Sequence, residues 1–174
     1  MTRLSLTTEG HRQVIVTRHF HAPPDLVFRA HTEPALLRQW MLGPPGWTMP
    51  VCISDARPGG RMRFEWADGA GHGFHLTGEY HEIEAPSRIL HVERMHLPDP
   101  TPDNLVETLF QPEGAGTLLR MVMTLPDSTV RDAMLATGMA EGMEASYARL
   151  DPVLGFGQGA ILRPPAPSPI LPPQ

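Results

Sequence analysis

The chain has 174 residues and a formal net charge of −5, and all 14 of its basic residues are arginines scattered along it. The basic stripe of a nucleic-acid reader is therefore missing, and no nucleic-acid partner is expected. One cysteine, Cys52, excludes an internal disulfide; with neither a leader-like start nor an apolar run of about 18 residues, a cytoplasmic protein without a membrane span is expected.

A chain of this length is expected to form one domain, burying roughly 70% of the surface its unfolded form exposes. Residues 1–13 read as an N-terminal extension, 14–154 as the domain and 155–174 as a Pro-rich tail. Val14 to His21 alternates Val14, Val16, Arg18 and Phe20 against Ile15, Thr17, His19 and His21, the period of a strand with two differently dressed faces. Asp25 to Ala30 and Pro34 to Trp40 read as two short helices, Pro34 occupying a favoured first-turn position. Gly43-Pro44-Pro45-Gly46 breaks the second helix and presents Trp47.

A meander follows. Strands are expected over Thr48 to Asp55, Arg61 to Trp66, Phe74 to Glu84, Arg88 to Met95, Asn104 to Pro112 and Thr117 to Thr124. Turn sequences such as Arg57-Pro58-Gly59-Gly60, Asp68-Gly69 and Ala85-Pro86-Ser87 join them, and LPDPTPD from Leu97 to Asp103 is a Pro-rich loop. In the last strand Leu119, Met121 and Met123 share the drier face. Ser128 to Leu154 then carries apolar residues Leu135, Met139, Met143, Leu150 and Leu154 at helical offsets, which predicts one long helix capped by Asp127 or Ser128. Gly138 and Gly142 would each cost about 1 kcal/mol in its interior. Close backbone packing explains them, or a cavity beneath the helix into which a side chain would intrude.

Strand, two short helices, six strands and a long helix pack economically as a curved antiparallel sheet whose concave face the last helix covers. The space between sheet and helix is the candidate site.

The run Arg18-His19-Phe20-His21-Ala22-Pro23, then Val27-Phe28, Thr32-Glu33-Pro34, Gln39-Trp40, Gly46-Trp47, Asp55-Ala56-Arg57-Pro58-Gly59-Gly60, Gly78-Glu79-Tyr80-His81-Glu82-Ile83, Pro86-Ser87-Arg88-Ile89, Gly116-Thr117 and Gly142-Met143 resembles the SRPBCC or START-like helix-grip superfamily. Within it the chain is similar to bacterial homologues of the activator of the heat-shock-protein-90 ATPase, over about Val14 to Leu154. The resemblance implies an α+β helix-grip (START-like, Bet v-like) fold with a cavity, and a carrier or sensor of small apolar molecules. Some relatives are cyclases or lyases using the same cavity. A stress-related, chaperone-associated role is a third implication, although the eukaryotic activator's additional chaperone-contacting domain has no counterpart in this sequence.

The site residues expected to line the cavity are Trp40, Trp47, Phe64, Trp66, Phe110, Met121, Met123, Met139, Met143 and Tyr147. Flexible thioethers among rings suit loose recognition of a small hydrophobic or aromatic ligand. No cofactor, metal or catalytic residue is expected. His19 and His21 share a strand face without a third ligand in any metal-binding spacing, and Ser54, Ser87, Ser146 and Cys52 lack nucleophile contexts. For enzymatic acid-base chemistry, Arg63 with Glu107 is the pair to look for. The sheet edges make a homodimer conceivable.

Overall fold

The computed structural model describes residues 3–155. Nine strands form one antiparallel sheet: β1 (Ser5–Glu9), β2 (Gln13–Phe20), β3 (Thr48–Ser54), β4 (Arg61–Ala67), β5 (Gly73–Glu84), β6 (Arg88–Leu97), β7 (Asp99–Pro100), β8 (Asn104–Glu113) and β9 (Gly116–Thr124). Their order across the sheet is β1-β2-β9-β8-β6-β5-β4-β3, with the two-residue β7 paired to β6. The expected strands and the two short helices, α1 (Pro24–Thr32) and α2 (Pro34–Trp40), are present within a residue or two of their expected ends.

Three features differ from the sequence reading, the smallest being β7, which pairs with β6 inside the expected Pro-rich loop from Leu97 to Asp103. Residues placed in an N-terminal extension supply β1, which pairs Ser5 with Thr17 through Glu9 with Gln13. Its residues are mostly exposed, so its sequence lacks the alternation by which strands are recognised. The expected single helix is two helices, α3 (Ser128–Leu135) and α4 (Met139–Leu154). Gly138 stands between them at φ 80°, a left-handed conformation that favours glycine. Its role is to break the helix, not to sit inside it. Asp127 caps α3 by accepting from the Val130 N–H at 2.9 Å. The tail beyond Gly155 lies outside the described residues.

Alternation puts one side of β2, β4 and β8 into the interior. Val14, Val16, Arg18 and Phe20 of β2 are buried and pair with Met123, Met121, Leu119 and Thr117 of β9, which in turn face Val106, Thr108, Phe110 and Pro112 of β8. The helices close this concave side in two clusters. A large ring-rich cluster holds Phe20, Phe28, Trp40, Phe64, Trp66, Tyr80, Phe110, Tyr147 and Leu150. A smaller one holds Val14, Val16, Val106, Met123 and Leu125, with α3 residues Val130, Met134 and Leu135 against it. Tight turns connect the strands; at Gly60 a Cβ would lie 1.8 Å from the Asp55 carbonyl oxygen, so no larger residue fits there.

Candidate functional site

The two-residue strand period that buries Phe20 also buries Arg18, whose side chain is 1% exposed. An isolated buried guanidinium would be costly. It is balanced by Asp151 near the end of α4, with Nη1 and Nη2 donating to the two carboxylate oxygens at 2.8 Å each. The guanidinium lies over the Phe20 ring at 4.8 Å and the Tyr147 ring at 5.6 Å. Beside Asp151 a cleft of about 10 Å³, bounded by His21, Leu154 and Gly155, has room for about one water.

One helical turn after Val27, His31 sets its ring beside the same Phe20 and Tyr147 side chains. Nδ1 lies 2.7 Å from the Val27 carbonyl. Around the imidazole stand Trp40 at 4.9 Å, Phe110 at 5.2 Å, Tyr147 at 6.0 Å and Phe20 at 6.4 Å between centroids. His31 as a residue is only half-buried, yet its Nε2 is closed off and has no hydrogen-bond partner. Burial pushes its pKa down to about 4, against a small opposing contribution from the Val27 carbonyl. Burial likewise pushes the Tyr147 phenol up, with the Arg18 charge pulling the other way. Tyr147 stacks on Trp40, 5.4 Å apart and 15° from parallel.

Further along the concave face, residues two apart on β6 set His91 beside Glu93, Nε2 to Oε2 at 2.9 Å, and Asn104 of β8 donates to the other Glu93 oxygen at 3.3 Å. Tyr80, opposite His91, shares a 2.7 Å hydrogen bond with Ser54, whose hydroxyl also reaches the Thr32 carbonyl at 2.8 Å. Burial raises the Tyr80 pKa. His91 Nδ1 and Asn104 Oδ1 are buried without partners. Thus all four closed-off, unpartnered side-chain atoms among the described residues, Arg18 Nε, His31 Nε2, His91 Nδ1 and Asn104 Oδ1, belong to residues on the concave side.

Of the residues expected to line a cavity, Trp40, Phe64, Trp66, Phe110 and Tyr147 lie in the ring-rich cluster, with Trp47 packed against it. Met123 lies in the smaller cluster, with Met139 against it. Met121 and Met143 touch both, at the seam. The indole N–H groups of Trp40 and Trp66 are used internally, donating to the Ala30 and Met41 carbonyls at 2.9 and 2.7 Å. Arg63 and Glu107 do not meet: Arg63 pairs with Glu65 and Glu107 with Arg88, all at least partly exposed. No three His, Cys, Asp or Glu side chains converge as metal ligands among the described residues. His19 and His21 stand edge to face at 5.0 Å, and His19 lies 3.5 Å from Glu113.

The sequence reading missed Arg18, His31, His91 and Asp151. The signal for Arg18 was present, a charge among Val14, Val16 and Phe20 on the dry side of its strand. His31 and Asp151 carried none, since Arg18 lies 133 positions from Asp151 and the Phe110 and Tyr147 rings reach His31 from far along the chain.

The sequence model for "Activator of Hsp90 ATPase homolog 1-like protein" matches residues 21–155. A Rhodobacter sphaeroides protein of known structure is 32% identical, with a TM-score of 0.82 over 87% of this chain and 97% of its own. A Nitrosomonas europaea protein matches at 24% identity and TM-score 0.72, over 82% of this chain and 94% of its own. A Mycobacterium smegmatis protein matches at 21% and 0.76, over 88% and 99% respectively. These likenesses place the chain in the helix-grip fold. None of the curated proteins matches it.

Proposed function

The chain belongs to the family of activator of Hsp90 ATPase homolog 1-like proteins, and on that premise we propose that it binds a small hydrophobic or aromatic molecule between the concave face of its sheet and α4, as a carrier or sensor. One observation carries this reading. Buried polar atoms in folded proteins are almost always hydrogen-bonded, and each exception calls for an explanation; here the four exceptions share the concave side, those of Arg18, His31 and His91 beside aromatic rings. A few polar groups converging in an apolar space are the usual make-up of a small-molecule site. The rings pack against one another, so admission of a ligand requires α4 to move. That helix lies between Gly138 and Gly155 and is tied down by Glu144 to the Leu4 N–H at 2.7 Å, Ser146 to the Gly43 N–H at 2.8 Å, Arg149 to the Gly43 carbonyl, and Asp151 to Arg18.

Native mass spectrometry of protein purified from its own host, followed by a thermal-shift screen of lipids and aromatic metabolites, tests the reading. A retained small-molecule mass or a shift with an aromatic compound is expected. No retained mass and no shift across the screen would overturn it.

A second reading, acid-base chemistry on such a molecule, is favoured by the His91–Glu93 pair. A carboxylate on Nε2 orients the imidazole and leaves Nδ1 as the position for a lone pair. Turnover of a bound compound that His91→Gln abolishes, with its binding intact, would establish that reading; turnover unchanged in His91→Gln would exclude it.

A further inference from the structure

We propose that His31 Nε2 is a hydrogen-bond acceptor kept for the ligand, and that the ligand is an arene bearing an O–H or N–H donor, a phenol or an indole in chemical class. The inference deepens the binding function proposed above and rests on it.

The tautomer follows from the partner. A backbone carbonyl only accepts, so the nitrogen facing Val27, Nδ1, must be the one that donates. A neutral imidazole carries one N–H, which leaves Nε2 with its lone pair. The lowered pKa keeps the ring neutral around pH 7. Nothing nearby uses that lone pair. The Trp40 indole N–H is committed to Ala30 and both terminal nitrogens of Arg18 to Asp151, while Arg18 Nε, like His31 Nε2, has no partner. Of the remaining neighbours, Phe20 and Phe110 offer only ring carbon, and the Tyr147 phenol makes no hydrogen bond to Nε2.

The surroundings define the rest of the ligand. An acceptor enclosed by aromatic rings selects a flat apolar body with an O–H or N–H donor, because a polar group without a matching partner would be costly there. The stacked Trp40 and Tyr147 rings supply flat faces for such a body once α4 moves. An aliphatic chain would lose the ring contacts, and a carboxylate would set a negative charge against a lone pair.

Binding of p-cresol and p-xylene, which differ by hydroxyl for methyl, is compared by titration calorimetry in the full chain and in His31→Phe. The native protein is expected to prefer p-cresol by about tenfold, the scale of one buried hydrogen bond. His31→Phe keeps a ring and removes the acceptor, and is expected to bring the ratio to about one. In the native protein, p-cresol is expected to shift the ¹⁵N resonance of His31 Nε2 from the free lone-pair position, while p-xylene leaves it unmoved. This readout decides the matter even if His31→Phe does not fold. Equal affinity for the two arenes, a ratio unchanged in His31→Phe, or an Nε2 already protonated at neutral pH would overturn the inference alone. Binding of neither arene, with no retained mass in the host-purified protein, would overturn the binding function beneath it.

Discussion

Beneath the last three turns of α4 the sheet meets Phe20, Phe110, Trp40 and Tyr147, with a charged pair and an unpartnered imidazole nitrogen among them; beneath α3 and the first turn of α4 it meets Val14, Val16, Val106, Met123, Met134 and Met139. Both ends are dry, and both draw on β2 and β8, Val16 and Phe20 being four residues apart, as are Val106 and Phe110. Apolarity therefore does not separate a site from a core. What separates them is that the ring-lined end encloses a charged pair and an imidazole whose open nitrogen faces rings, whereas the unsatisfied atoms beside Val106, on His91 and Asn104, belong to a hydrogen-bonded His91–Glu93–Asn104 chain. Methionines and valines repack around changes of shape with little loss, whereas rings held at fixed angles around a single acceptor do not.

The comparison is most directly broken at Asp151. Asp151→Ala strands a buried guanidinium and is expected to cost about 3–5 kcal/mol in chemical denaturation. Replacing both partners, as Arg18→Met with Asp151→Leu, is expected to recover most of that. A loss under about 1 kcal/mol for Asp151→Ala would mean that the pair behaves as a surface bridge.

Acid should act next, and chiefly at the ring-lined end. His31 has a folded-state pKa of about 4, below its ordinary value of about 6.5, so the unfolded chain binds its proton first as pH falls. Its contribution is complete above about pH 6.5, declines through that window and is gone below about pH 4, amounting to up to about 3 kcal/mol. Denaturation between pH 7 and 4 should show this slope in the native chain and a reduced one in His31→Phe. An equal slope in both would place the acid sensitivity elsewhere.

The helix glycines discriminate more finely. Gly138→Ala forces a side chain into a left-handed residue and should destabilise by about 1–2 kcal/mol. Gly142→Ala should do the reverse. A Cβ there meets nothing within 4 Å, so the gain in helix propensity, up to about 1 kcal/mol, is expected to appear as a higher melting temperature. Met143→Leu, at the seam, should change stability by less than about 1.5 kcal/mol and leave the p-cresol to p-xylene ratio alone. A changed ratio would extend the site into the methionine end.

Much of this molecule could be read from local pattern. Alternation from Val14 to Phe20 placed β2 and its buried face, Gly59-Gly60 and Asp68-Gly69 marked turns, and Leu119, Met121 and Met123 were assigned to the inner face. Each of these needs only neighbours within a few residues. The break at Gly138 was invisible because a glycine costs a continuous helix about as little as it costs a helix end, and only packing on the sheet decides between them. β1 was invisible because an exposed edge strand has no dry face to betray it. The site itself belongs to tertiary structure. Arg18 and Asp151 are 133 positions apart, and His31 acquires its surroundings from Phe110 and Tyr147, which arrive on a strand and a helix far along the chain. Sequence period determines which side of an element is buried, whereas the dielectric surroundings and free lone pair of one imidazole depend on which elements the folded chain brings against it.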